Sequence, residues 1–334
     1  MCNMDTEIRN SRHDKEPAEG PLVLDQATIE RLGRERPACF KSLWMELAFC
    51  FSLFMCQILA EYCISGSNVL LPTLIKELDI PPSQSIWPAT ALSLAVTATL
   101  LVFGRLADMF GGFTLYFGGM VWLAITSLIT GFSQNWLMLF IFRALQGLGL
   151  AAFLPSSIMI MGRVYRPGPR KNLVFSIYGA CAALGFFVGI FFSGLCGEFL
   201  SWSWFFYFVA IFATATAVSS WFSIPSDWAE KRHSASPVRM DWLGSVLLVP
   251  GLVLFVFGVA DSPHAPNGWG TPYIIVTVVL GVLFLAAFVY VEGWVVDNPL
   301  LPGDLFAVKY MKPLLIALLC MYGSLGIFLL YACL

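Results

Sequence analysis

The sequence predicts an all-α membrane protein with nine transmembrane helices, and three observations carry that prediction. Its 334 residues are 58% hydrophobic and only 12% charged, with a mean hydropathy of +0.77. A soluble domain carries about 25% charged residues, so this composition belongs in a bilayer. Apolar runs of 18 or more residues recur along the chain, each able to cross ~30 Å of hydrocarbon as a helix. Lysine and arginine also gather in alternate links between those runs.

In chain order the expected spans are 44–71, 86–104, 113–133, 137–161, 173–197, 202–224, 242–260, 271–291 and 313–333. The first follows some 43 polar residues, too late for a signal peptide, and is expected to stay in the membrane. Spans one to six are joined by short links, as one compact bundle requires. Spans seven and eight are rich in Gly, Val and Leu and nearly free of polar groups, which suits lipid-facing helices outside a substrate path. The expected divisions are a cytosolic tail (1–43), a six-helix bundle (44–224), a link (225–241), two further helices (242–291), a second link (292–312) and a last helix (313–334).

Orientation follows from the basic residues. With the N-terminus in the cytosol, seven fall in the tail and Arg105 lies after span two. Arg163, Arg166, Arg170 and Lys171 follow span four; Lys231, Arg232 and Arg239 follow span six; Lys309 and Lys312 precede span nine. That assigns 17 of the 19 to one face, leaving Lys76 opposite and Arg143 inside the membrane, so an N-in topology is expected.

The remaining composition argues against several function classes. The net charge of −2 comes with no basic patch interleaved with aromatics, so no nucleic-acid partner is expected. Nine scattered cysteines form no CxxC pairs and read as small apolar packers. The three histidines (His13, His233, His264) lie in the tail or loops, which leaves no metal site and no cofactor to expect. There is no phosphate-cradling Gly-x-x-x-x-Gly-Lys-Ser/Thr loop, no Ser/His/Asp cluster and no paired carboxylates within the spans. Neither ATP-driven work nor catalysis is expected.

Polar residues inside the spans carry the functional signal. Arg143 stands alone in span four, and a cation at such depth costs about 2.5–3.5 kcal/mol on insertion scales, so it should face a protein or aqueous interior. Gln146 lies one turn further on. In span one, Gln57, Glu61, Ser65 and Asn68 are spaced by 4, 4 and 3 residues and share one helical face. Glu61 lies roughly 14 Å below the outer end of its span and Arg143 roughly 10 Å below the same surface. If spans one and four are neighbours, a direct or water-bridged Glu61–Arg143 pair can form. Glu61 is then a candidate protonatable switch that Arg143 tunes, since a cation stabilises the carboxylate and burial opposes it.

Glycines mark the tight places. Gly104-Arg105-Leu-Ala-Asp108-Met-Phe-Gly111 reads as a charged turn between spans two and three, with Gly104 and Gly111 supplying backbone freedom. Gly147 and Gly149 would let span four pack closely on a neighbour. In span five Cys181, Gly185, Gly189 and Ser193 recur every four residues as a small-residue stripe.

Three of these stretches together resemble the major facilitator superfamily. The Gly104–Gly111 segment is similar to the signature between its second and third helices. Arg143-Ala-Leu-Gln146-Gly147-Leu-Gly149-Leu-Ala151 is similar to its fourth-helix signature. The span-five stripe resembles the glycine-rich motif of drug:proton antiporters without that motif's proline. With Asp241-Trp-Leu-Gly-Ser and Pro299-Leu-Leu-Pro302, the closest resemblance is to the fungal 14-helix drug:proton antiporters near the aminotriazole-resistance proteins.

That resemblance implies two six-helix bundles flanking two linker helices, with substrate at the midplane between bundles. This chain would supply the N-terminal six-helix bundle plus three further transmembrane helices, leaving the rest of the C-terminal bundle to be provided by missing residues or a complementing chain. It also implies that Asp108 caps a helix and pairs with Arg105 or Arg163 as a cytosolic latch, and that the span-five stripe contacts the second bundle. The expected function is proton-coupled export of small toxic compounds or drugs across a plasma or vacuolar membrane. The alternatives are movement of another small solute such as ammonium, borate or sugar, and a truncated fragment that transports nothing alone.

Overall fold

The computed structural model describes residues 33–37, 39–224, 240–296, 299–301, 303 and 307–332, and every regular element among them is helical. Nine long helices follow in order: α1 (Leu43–Glu77), α2 (Trp87–Phe110), α3 (Gly112–Gly131), α4 (Trp136–Val164), α5 (Pro169–Phe199), α6 (Ser203–Ser223), α7 (Trp242–Asp261), α8 (Pro272–Trp294) and α9 (Met311–Ala332). Each overlaps one predicted span. The first eight are long and apolar enough to cross a membrane, and α9 is apolar from Met311 to Ser324. Most of the tail expected at 1–43, most of the link at 225–241 and much of the link at 292–312 lie outside the described residues.

Local chemistry sets the helix starts. Ser42 accepts the Met45 N–H at 3.2 Å, Asn135 the Met138 N–H at 2.8 Å and Asp241 the Gly244 N–H at 2.8 Å, each satisfying a donor that has no intrahelical partner. Proline stands in the first turns of α2, α5 and α8, where a missing N–H is harmless.

Six helices close into one bundle. α1 packs along α5 and crosses α6; α4 lies between α2 and α3; α3 also packs on α6. Tyr hydroxyls tie neighbours through backbone carbonyls: Tyr116 to Ser52 at 2.6 Å (α3 to α1), Tyr62 to Phe205 at 3.3 Å (α1 to α6) and Tyr207 to Gly131 at 3.1 Å (α6 to α3). α7 and α8 form a hairpin that leans on the bundle through α2, where Trp87 stacks on Phe257 with ring centroids 5.3 Å apart.

Three expectations change. The charged stretch at Gly104–Gly111 is not a loop: Gly104, Arg105 and Asp108 continue α2, and the reversal falls on Gly111 alone, at φ 92. Nothing from Leu106 to Phe110 breaks a helix, so α2 runs out past the apolar core until a glycine permits the left-handed turn. α1 likewise passes through Pro72 and ends at Glu77, six residues beyond the expected limit. Finally, the α5 small-residue stripe does not await a second bundle, because it packs on α1. A Cβ on Gly185 would stand 2.6 Å from the Ile58 carbonyl oxygen and one on Gly189 2.9 Å from Tyr62 Cα. Ser193 donates to the Gly66 carbonyl at 2.7 Å. Residues without bulk every four positions cut a groove, and the adjacent helix of the same chain fills it.

Candidate functional site

Arg143 is 1% exposed and ranks among the largest fully buried side chains. Its guanidinium joins three helices: Nε donates to the Pro88 carbonyl of α2 at 2.9 Å, one terminal nitrogen to the Cys63 carbonyl of α1 at 3.2 Å, and the other to Gln146 Oε1 on α4 at 3.2 Å. The ring of Phe206 on α6 faces it, with its centroid 5.9 Å from the guanidinium carbon. Gln146 passes the network on, its amide donating to Ser127 Oγ of α3 at 2.9 Å. A planar fork with five donors suits this role, because it reaches separated acceptors on several helices at once.

The expected Glu61–Arg143 pair is not formed. The described ion pairs join Glu46 to Arg170 and to Arg36, and the bonds above hold Arg143. The reason is angular: Cys63 follows Glu61 by two residues, about 200° around a helix, so the turn of α1 that meets Arg143 directs Glu61 elsewhere.

Glu61 instead shares a half-buried face with Gln57 and Asn68. Gln57 Nε2 donates to Glu61 Oε1 at 3.5 Å, and Asn68 turns back to the Ile64 carbonyl at 2.9 Å. Ser65, expected on this face, is buried at its edge and donates to Phe186 of α5 at 3.0 Å. The polar face is thus Gln57, Glu61 and Asn68. By contrast, the crevice of about 460 Å³ between α3 and α6, lined by Phe117, Val121, Trp221 and Phe222, has no titratable side chain.

At the end of the bundle where α1 starts, Asp108 is exposed in the last turn of α2. It does not cap α3: the N-cap there is Gly111, with no side-chain cap. Gly147 lies against α2, 2.6 Å from the Leu92 carbonyl oxygen if given a Cβ, and Gly149 against Gly119 of α3 at 3.1 Å.

The same end holds a network that the sequence reading missed. Glu46, 5% exposed one turn into α1, accepts from Arg170 Nε at 2.9 Å and from a terminal nitrogen at 2.5 Å. Tyr165 donates to it at 3.1 Å, and Arg36 comes within 3.9 Å. Arg170 also donates to the Arg34 carbonyl at 3.2 Å, tying the segment before α1 to the start of α5. Burial, with Cys50 and Glu46 beside it, pushes the Tyr165 phenol well above its ordinary pKa, so it remains a donor. A lone carboxylate early in an apolar span was the available signal, the same one that singled out Glu61.

Comparison with known proteins agrees with this architecture. Residues 53–334 match the model of the Major Facilitator Superfamily. The chain is 38% identical over 274 residues to a low affinity ammonium transporter of Saccharomyces cerevisiae, covering 80% of this chain and 52% of that protein. It is 34% identical over 303 residues to the aminotriazole resistance protein of the same yeast, covering 89% and 55%. The efflux pump terJ of Aspergillus terreus is 32% identical over 308 residues, covering 90% and 58%. The chain therefore spans about half the length of the curated relatives it matches. A crystal structure of the peptide transporter POT in complex with sulfate superposes with a TM-score of 0.54 at 19% identity, over 80% of this chain and 56% of that one, which bears on the fold alone. Nine apolar helices in this packing, a buried arginine binding three of them and a family match across most of the residues identify the chain as a multi-pass integral membrane protein that belongs to the Major Facilitator Superfamily.

Proposed function

We propose that this chain supplies one half of a proton-coupled secondary transporter that exports small toxic compounds or drugs. In this reading residues 44–224 are the N-terminal bundle, 242–291 the linker helices and 313–334 the start of a second bundle, completed by further residues or by a complementing chain. The N-terminus lies in the cytosol, where most basic residues fall, and the membrane is plasma or vacuolar. The protein does no chemistry on its substrate.

The observation that carries the reading is the half-buried Glu61 carboxylate between Gln57 and Asn68 on one face of α1. The other large polar groups inside the bundle, Arg143 and Gln146, are committed elsewhere, Arg143 to two carbonyls and Gln146, and Gln146 to Ser127. Glu61 is the group left to take up and release a proton as a water-filled path opens on either side. Arg143 acts as a pin that keeps α1, α2 and α4 in register, so that this face is presented to the centre. At the α2–α3 reversal, Gly104, Arg105, Asp108 and Gly111 serve as the gate. Names of relatives support the direction and the cargo, among them the aminotriazole resistance protein and the efflux pump terJ.

A second reading has its own support: the 38% identical relative is named for ammonium, and a small cation would find its counter-charge at Glu61. Vesicles containing this chain together with a complete second bundle separate the two. With an imposed proton gradient, export reading requires gradient-driven movement of aminotriazole or a similar toxicant. The second reading requires ammonium flux with no effect of the toxicant.

A further inference from the structure

The hairpin of α7 and α8 brings two carboxyl groups together away from the α1 face. Asp241, 5% exposed, caps α7 with Oδ1 on the Gly244 N–H at 2.8 Å, while its buried Oδ2 has no hydrogen-bond partner. Glu292, in the last turn of α8, accepts the Leu300 N–H on Oε1 at 2.9 Å and the Leu301 N–H on Oε2 at 3.1 Å. It thereby holds the segment that leads towards α9. The two acids meet over Gly244: a Cβ there would touch both Asp241 Oδ2 and Glu292 Oε1, the latter at 2.9 Å. Glu292 lies within hydrogen-bonding reach of Asp241.

Two ionised carboxylates in contact, Asp241 buried and Glu292 half-buried, repel each other, and such pairs share a proton. We propose that Asp241 and Glu292 form a proton-binding site in which one proton is shared between Asp241 Oδ2 and Glu292 Oε1. A shared proton gives every oxygen a partner: the Gly244 N–H for Asp241 Oδ1, the proton for Oδ2, and backbone N–H groups for both Glu292 oxygens.

Among the described residues the neighbouring charges are few, Asp297 and Asp304 lying outside them. Glu292 is the only charged residue of α8, and α7 has none until Asp261 at its far end. α2, which packs on α7, carries Arg105 and Asp108 at this end. Lys231, Arg232, His233 and Arg239 precede Asp241 in the chain, outside the described residues. Bound in this way, the proton ties the hairpin to the segment entering α9, and its loss would set the carboxylates apart and release Leu300 and Leu301.

The test uses the purified 334-residue chain in detergent at pH 7. Infrared spectra report the carbonyl stretch of a protonated carboxylic acid, and hydrogen exchange reports protection of the Leu300 and Leu301 amides. The wild-type spectrum should contain a band that Asp241→Asn removes while amide protection persists, because an amide N–H replaces the acid proton and still caps α7. Asp241→Ser keeps the cap, should also remove the band, and serves if the asparagine variant does not fold. Glu292→Ala should abolish the amide protection. A wild-type spectrum that loses no protonated-acid band in either Asp241 variant would overturn the proposal, since a neighbouring cation would then be neutralising the pair.

Discussion

Arg143 donates to the carbonyl of Cys63 at 3.2 Å, two residues past Glu61 on the same helix. The cation of span four therefore meets α1 next to Glu61 without pairing with it. Arg143 binds α1 by its backbone, and the Glu61 side chain keeps to a face with Gln57 and Asn68. We propose that any coupling between them runs through the position of α1.

Replacing the pin should loosen three helices. Arg143→Ala removes bonds from a charged donor, each contributing about 1.5–3 kcal/mol, and leaves the Gln146 oxygen without this donor. We expect a loss of about 3 kcal/mol in unfolding experiments in detergent. Arg143→Lys should recover little of it, because one ammonium cannot span Pro88 and Cys63 together.

The Glu46 network predicts a graded series. Arg170→Ala leaves a buried carboxylate without its main cation and should cost about 2 kcal/mol, less than a fully buried pair because Arg170 is partly exposed. Glu46→Gln should cost less, as the charges it leaves, on Arg170 and Arg36, are partly exposed. Chemical denaturation of each variant ranks them, and the reverse order would contradict the geometry.

Tyr165→Phe should lower stability by about 1 kcal/mol, and by the same amount at pH 6 and pH 9. The folded pKa of this phenol is raised by burial, so its stabilising proton is fully present below the unfolded value of about 10 and is lost only as pH climbs beyond it. A Tyr165 contribution that fades between pH 6 and pH 9 would disagree with that sign.

Close approach makes a contrast between glycines of one helix. Gly185→Val meets the Ile58 backbone and should destabilise by about 1–3 kcal/mol, whereas Gly179, with nothing within 4 Å, should tolerate alanine and gain a few tenths. Thermal unfolding of the two variants side by side tests the α1–α5 contact.

Hydropathy and helical period are local properties, so the nine spans, the isolated Arg143, the α1 polar face and the α5 stripe were all legible in the residues. What the stripe touches was not, since groove-forming residues do not name the helix that fills the groove. The partners of Arg143 were hidden for a similar reason: Pro88 and Cys63 bind it through carbonyls, which every residue possesses. The loop expected at Gly104–Gly111 reflects a habit of ending helices where charge begins. Here α2 extends past the hydrocarbon and stops only where Gly111 can adopt φ 92.

We propose that Glu61, which Arg143 does not pair with, carries the coupled proton. The decisive comparison is gradient-driven toxicant export by vesicles holding the chain with a complete second bundle, wild type against Glu61→Gln. The variant should still bind substrate but no longer respond to the proton gradient. Export by Glu61→Gln at the wild-type rate, with the same dependence on the gradient, would contradict it.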